Sequence, residues 1–182
     1  VPPSIFPKPY ADTVARLRVT SGFLLVAAFA WFAHPSARSL AFGIPVCIVG
    51  LLLRAWAAGH LAKNQELTTG GPYAYVRNPL YLGTLAVAAG LAIACRSLGL
   101  AVLFALVFLL IYLPVIMLEE QHLGKLFPEF ERYAAKVPPL FPYRRPINSD
   151  RRFNWALYRK NQEYQAALGF VVGLAWLIWR CL

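Results

Sequence analysis

Acidic residues are scarce in this chain, with 8 Asp and Glu against 18 Lys and Arg, and charged residues of either sign make up only 14% of its 182 positions. A soluble domain carries roughly 25%, so a water-exposed globule is excluded. The alternation of apolar and polar side chains that marks barrel strands is missing, as is a glycine-rich nucleotide fingerprint after a strand-like run. Neither an outer-membrane barrel nor a dinucleotide-type domain is expected. Cysteine is limited to Cys47, Cys95 and Cys181. Their spacing suits neither a metal centre nor a disulfide framework, so they are assigned to apolar packing and no metal is expected.

What the chain does have is hydrophobic sequence, 59% of its residues. Four apolar runs, at about Val19–Ala33, Leu40–Ala58, Leu80–Ala94 and Leu98–Leu118, approach the ~20 residues that cross a ~30 Å hydrocarbon core as helix. A fifth, Ala166–Trp179, has fourteen residues and either spans, lies flat or packs on a second copy in a homodimer. Backbone amides cannot stay unpaired in lipid, so these runs should be helices. The fold class is therefore all-α, a polytopic membrane helical bundle with four or five transmembrane helices. It forms one domain over residues 1–182: four spans in 19–118, a cytosolic segment at 119–163 that is first helical and then extended, and the fifth helix at 164–182. Residues 1–15, with prolines at 2, 3, 7 and 9, read as an extended lead-in. Arg16 and Arg18 before an apolar run ending Ala-Phe-Ala also have the form of a secretory signal, and the run is read as a span. The short "HPSARS" and "CRS" links predict helical hairpins between spans one and two and between three and four.

Placing the N-terminus in the cytosol gathers Lys8, Arg16, Arg18, Arg54, Lys63, Arg77 and the basic residues from Lys125 to Lys160 on one side, with Arg38 and Arg96 opposite, joined by Arg180 if the fifth segment spans. The polar stretches 59–79 and 119–163 then share the cytosolic face, where any aqueous chemistry must lie. The net charge of +10 is read as orientation together with affinity for anionic lipid headgroups. Nucleic acid is not an expected partner, because no DNA- or RNA-reading motif accompanies the charge.

One polar hinge, "GGPYAYVRNPLYLG" at 70–83, carries more chemistry than a turn requires. Part of it has a structural reading: Asn78 caps a helix begun by Pro79, and Tyr73, Tyr75 and Tyr81 form an interfacial aromatic belt. That reading leaves out Glu119 and Glu120 at the end of the fourth span. Adjacent carboxylates at a bilayer edge repel each other and lose hydration, so they call for a cation, and Arg77 is the candidate. Beyond them, Leu123, Leu126, Phe127, Phe130 and Tyr133 recur at helical spacing and predict an amphipathic helix interrupted near Pro128. After Lys136 the prolines at 138, 139, 142 and 146 favour extended chain.

The hinge and the later "EEQHLGKLFPEFERYAAKVPPLFP" together resemble the isoprenylcysteine carboxyl methyltransferase family and the wider group of small membrane phospholipid methyltransferases, over residues 65–142. The resemblance implies methyl transfer from S-adenosyl-L-methionine to a lipophilic substrate that enters from the bilayer, either a phospholipid-type amine or a prenylcysteine-type carboxylate. It implies a cofactor pocket made of helix ends and loops and facing the cytosol. Cofactor contacts fall by position on Gln65, Glu66, Leu67 and Thr68, on Tyr73, Asn78, Pro79, Leu80 and Tyr81, and on Glu119. Val137–Pro142 is similar to a proline-containing strand that closes the pocket. Asn78 stands where the carboxyl methyltransferases usually have histidine. Val115 stands where the eukaryotic prenylcysteine enzymes have an arginine toward the substrate carboxylate, so an amine-bearing or otherwise uncharged nucleophile is the expected acceptor.

In that frame Glu119 pairs with positive charge on the cofactor, while Arg77 holds its carboxylate or braces the glutamates. Tyrosine rings pack on adenine or on the sulfonium. A carboxylate acceptor needs no base, whereas an amine must lose a proton, for which His60, Glu120 and His122 are the candidates. Arg77, Glu120 and His60 thus carry the candidate catalytic roles. Two other readings stand beside this one. A sterol-type membrane reductase using NADPH has a similar Arg-x-Pro-x-Tyr-x-Gly hinge, and a non-enzymatic helical scaffold would use Gly169 and Gly173 as a close-packing pair.

Overall fold

Small residues hold the bundle together. In the computed structural model, which describes residues 7–147 and 151–182, helix α2 (Ala37–Ala58) lies directly on helix α3 (Pro79–Cys95). A Cβ on Gly43 would sit 2.5 Å from the Gly90 carbonyl oxygen, and one on Gly50 2.7 Å from that of Gly83. Lipid gives helices no hydrophobic reason to join, so this backbone-to-backbone approach is what holds the pair. Cys47 packs in the same seam, its thiol 3.5 Å from the Val87 carbonyl, and Cys47 and Cys95 are both buried and unbridged. Ser36 and Ser39 form a capping box that starts α2, and the Ser39 hydroxyl also donates to the Ala94 carbonyl at 2.8 Å.

Helix α1 (Lys8–Phe32) begins earlier than the proline count suggests. Pro7 is its N-cap and Pro9 lies in its first turn, where a missing N–H costs nothing. The extended lead-in is therefore not found over residues 8–15, and residues 1–6 lie outside the described residues. The expected hairpin with α2 is also replaced: α1 packs chiefly on α4 (Leu98–Val107) and α5 (Leu113–Leu126).

Helices α4 and α5 form one rod from Leu98 to Leu126, broken only by a π-helical turn at Phe108–Tyr112. Pro114 explains the turn. It has no N–H to return to Leu110, so the Leu113 N–H reaches back to Phe108, and the Leu110 carbonyl accepts from the Tyr10 hydroxyl at 2.7 Å. The rod carries into the polar layer, followed by α6 (Phe130–Lys136), α7 (Trp155–Lys160) and α8 (Tyr164–Cys181).

Among the described residues, α2, the α4–α5 rod and α8 are long and apolar enough to cross a bilayer, while α3 with 17 residues and Gly22–Phe32 of α1 are apolar but shorter. Helix α8 reaches 18 residues because Tyr164, Gln165, Arg180 and Cys181 extend the apolar stretch at both ends. Among the described residues its glycines make no close pair: nothing lies within 4 Å of a Cβ on Gly169, and only a Phe29 ring atom, at 3.9 Å, meets one on Gly173.

The two polar stretches meet. The Arg77 and Asn78 N–H groups donate to the Pro138 and Pro139 carbonyls at 2.8 and 3.1 Å, and the Asn154 N–H donates to the Gly59 carbonyl at 2.9 Å. Residues 137–142 run alongside the hinge without regular structure, bending at 137 and at 139–141, and they form no strand, because Pro138 and Pro139 have no N–H to complete a ladder.

Candidate functional site

The hinge is built from a constrained glycine outward. Gly71 has φ of +57°, and a Cβ there would sit 2.6 Å from the His60 ring, so only glycine fits. It opens a 3-10 turn, Gly71–Ala74, that buries Tyr73 and delivers Arg77 and Asn78 to the start of α3.

Arg77 and Glu120 close on each other as a fork. The Arg77 Nε and Nη2 each donate to one Glu120 oxygen at 2.9 Å, with side chains only 10% and 9% exposed. Arg77 Nη1 donates to the Ala134 carbonyl at 2.9 Å. Asn78 occupies the N-cap position of α3, but its side chain caps nothing. Its Nδ2 donates instead to Glu120 Oε1 at 2.7 Å and to the Pro139 carbonyl at 3.1 Å. A buried carboxylate demands this degree of pairing. The outcome is a clamp that joins α3, α5, α6 and the 137–142 segment.

Glu119 lies beside this clamp and is exposed; it accepts from the Tyr81 hydroxyl at 2.9 Å. Both glutamates border a cavity of about 610 Å³, within the range of roughly 300–1,000 Å³ usual for cofactor-sized ligands. Glu66, Leu67, Thr68, Tyr73, Arg77, Asn78, Leu80 and Tyr81 line it as well.

Three expected site residues are not in its wall. Gln65 sits exposed in the turn after α2, where its N–H bonds the Ala62 carbonyl at 3.1 Å. Pro79 is buried as the first residue of α3. His60 is 2% exposed, with Nδ1 2.9 Å from the Trp56 carbonyl and Nε2 3.2 Å from that of Arg151. Its ring also meets Phe153 edge-on, so it pins the 151–153 segment to the end of α2 rather than facing the cavity. His122 does line the cavity.

Sequence reasoning assigned no site role to Asn64, Thr84, Tyr112 or Tyr133, and counted Arg54 only among the basic residues that orient the chain; all five line the cavity. A signal existed for two of them. An arginine inside an apolar run marks a functional position by default, and "KNQ" after a helix is a turn in which asparagine tolerates positive φ, here +58°. Thr84, Tyr112 and Tyr133 depend on tertiary placement. Tyr133 donates its hydroxyl to the Tyr73 carbonyl at 2.8 Å. Burial pushes both phenols above the ordinary tyrosine range, a rise that nearby Arg77 partly offsets at Tyr133, so both remain neutral.

Besides the mutually paired Arg77 and Glu120, the wall offers two carboxylates, Glu66 and Glu119, the cation of Lys63, the Glu163-paired Arg54 and a set of tyrosine rings. That donor set suits a ligand carrying positive charge, a carboxylate and an aromatic base.

Residues 17–129, more than half of the chain, match the family model for phospholipid methyltransferases. The chain belongs to the phospholipid methyltransferase family. The match takes in the hinge and both glutamates and ends before the segment at 137–142. Over 102 residues, 55% of this chain, this family member is 39% identical to the cobalt-zinc-cadmium resistance protein CzcN of Cupriavidus metallidurans, covering 46% of that protein. Over 140 residues, 75% of this chain, it is 34% identical to the nickel-cobalt-cadmium resistance protein NccN of Alcaligenes xylosoxydans xylosoxydans, covering 59% of it. The chain thus spans about half the length of these relatives. No solved structure matches it.

Proposed function

We propose that this membrane protein transfers a methyl group from S-adenosyl-L-methionine to a lipophilic acceptor that approaches from the bilayer, with the cofactor site facing the cytosol. The observation that carries the reading is the polar cavity at the end of an apolar bundle, bordered by hinge residues and by the glutamate pair, all of them within the segment that matches the family. The cofactor, when bound, supplies a methyl group on a sulfonium centre. Glu119 supplies a carboxylate for its positive charge, and Tyr73, Tyr81 and Tyr112 supply rings for its sulfonium and adenine.

Arg77 and Glu120 act here as positioning residues. Each satisfies the other, and together they hold the start of α3 against α5 so that Glu119 and Tyr81 keep their places. Little covalent work falls to the protein in such a displacement, and rate comes from orientation and from exclusion of water. His122 lines the cavity and is one side chain placed to take a proton from an amine acceptor. The relatives' names speak of metal resistance. Those names are the relatives' own, and among the described residues no group of three or more His, Cys, Asp or Glu side chains is placed to hold a metal ion.

The test is methyl transfer from labelled S-adenosyl-L-methionine to an amine-bearing phospholipid and to a prenylcysteine, in the same detergent. Transfer to the amine lipid in excess of the prenylcysteine is expected, because Val115 is buried with no basic residue nearby on its helix. Absence of transfer to any lipophilic acceptor would count against the enzyme reading.

A further inference from the structure

A second cavity, of about 550 Å³, lies among α1, α2, α3, the α4–α5 rod and α8. Its walls are almost wholly apolar, and Arg54 is the only charged residue among those lining it. Arg54, Thr84 and Tyr112 line both this cavity and the polar one, so these three side chains form the partition between them. Tyr112 is set there by the π-helical turn.

At the partition Arg54 is held by a carboxylate from 109 positions away. Its Nε lies 2.5 Å and its Nη2 3.1 Å from the two oxygens of Glu163, the N-cap residue of α8. Nη1 donates to the Leu80 carbonyl at 3.3 Å and to the Thr84 hydroxyl. The pair is largely buried, with side chains 24% and 10% exposed. Desolvating two charges at this depth offsets most of what their attraction returns, so the pair is a weak source of stability. A fork-shaped cation at the end of an apolar chamber is, however, the arrangement that reads a planar or tetrahedral oxyanion. From Ala166 to Trp176 the wall of that chamber follows α8 for about 15 Å.

We propose that Arg54 is the specificity-determining residue for an amphiphile with an oxyanion head, phosphate or carboxylate, whose apolar tail occupies the second cavity. Glu163 is an internal stand-in for that oxyanion and leaves Arg54 when the amphiphile docks. This placement sets the polar end of the amphiphile at the partition, one side chain away from the cavity bordered by Glu119. It rests on the reading of a lipophilic acceptor made above, but amphiphile binding can be measured without methyl transfer.

The test uses the purified full chain in a neutral detergent, titrated with dodecyl phosphate, dodecanoate and dodecyltrimethylammonium, with S-adenosyl-L-methionine affinity measured in parallel. The wild type should bind one or both anionic amphiphiles in preference to the cation, and the arm that binds tighter identifies the head as phosphate or carboxylate. Glu163→Gln, which removes the competing carboxylate, should tighten anionic binding about tenfold without changing cofactor affinity. Arg54→Gln should abolish the preference. The double exchange Arg54→Glu with Glu163→Arg keeps an ion pair and should keep the melting temperature near that of the wild type, yet it too should lose the anion preference.

Anionic binding that survives the double exchange would make the pair merely structural and overturn the proposal, as would unchanged binding in Glu163→Gln. Weaker S-adenosyl-L-methionine binding in Arg54→Gln with amphiphile binding intact would assign Arg54 to the cofactor, overturning the proposal while leaving the methyltransferase reading standing. The full amphiphile pattern without cofactor binding in any variant would support the Arg54 assignment and remove the methyltransferase reading instead.

Discussion

Glu119 and Glu120 are neighbours in sequence, but α5 turns about 100° between them, and that rotation separates their roles. Glu120 faces inward to Arg77 and Asn78, whereas Glu119 faces the open side of the cavity. Replacing Glu120 by alanine leaves Arg77 buried without a counter-ion and should cost about 3–5 kcal/mol of stability. Glu119→Ala should leave the melting temperature nearly unchanged and weaken S-adenosyl-L-methionine by about tenfold, the lower end of a charge-assisted bond of ~1.5–3 kcal/mol. Thermal unfolding in detergent and cofactor titration on both variants check this. Equal effects of the two substitutions on both readouts would contradict it.

Tyr133 gives a second residue-scale expectation. Because burial raises the Tyr73 and Tyr133 phenols in the folded chain, the unfolded chain ionises first, at about pH 10. Their contribution to stability is complete below that pH and falls as pH rises through it. Tyr133→Phe loses the bond to the Tyr73 carbonyl, which should cost about 1 kcal/mol at neutral pH. It also removes one of the two shifted groups, so alkaline destabilisation between about pH 10 and 11 should be shallower than in the wild type. Melting curves that run parallel in the two proteins across that window would count against the assignment.

At the scale of elements, the α2–α3 seam tolerates no added atoms. A Cβ on Gly50 would meet the Gly83 carbonyl at 2.7 Å and the Val87 side chain at 2.9 Å. Gly50→Ala should therefore cost about 1–3 kcal/mol through forced separation of the helices. Gly169→Ala, with open space around it, should stay within about 0.5 kcal/mol of wild type. The "GFVVG" spacing in α8 looks like a packing motif in sequence, and the glycines that pack are Gly43, Gly50, Gly83 and Gly90. Spacing alone carries no information about which helix lies opposite. The helix-breaking reading of the first prolines failed for a similar reason, since Pro7 and Pro9 fall at the one end of a helix where proline costs nothing. The hinge was legible because its constraints are local: the glycine turn, the Arg77 cation and the Pro79 helix start all lie within a dozen residues.

The molecule as a whole places a polar cavity and an apolar one end to end, divided by Arg54, Thr84 and Tyr112. The helical class and the polar layer follow from composition and from the length of apolar runs. The Arg77–Glu120 fork was anticipated by charge balance, because two carboxylates at a bilayer edge need a cation. The Arg54–Glu163 pair was not, since its partners stand 109 positions apart and meet only once α8 is docked. The exclusion of His60 from the cavity follows from the same tertiary fact, as residues 151–153 fold back over the end of α2 to cover it.

The central claim is that the polar cavity holds S-adenosyl-L-methionine. Isothermal titration of the purified chain with S-adenosyl-L-methionine, and separately with NADPH, tests it most directly. Saturable binding of S-adenosyl-L-methionine below millimolar concentration, weakened in Glu119→Ala, with no heat from NADPH, is the predicted result. Binding of NADPH, or no binding of S-adenosyl-L-methionine at millimolar concentration, would contradict it.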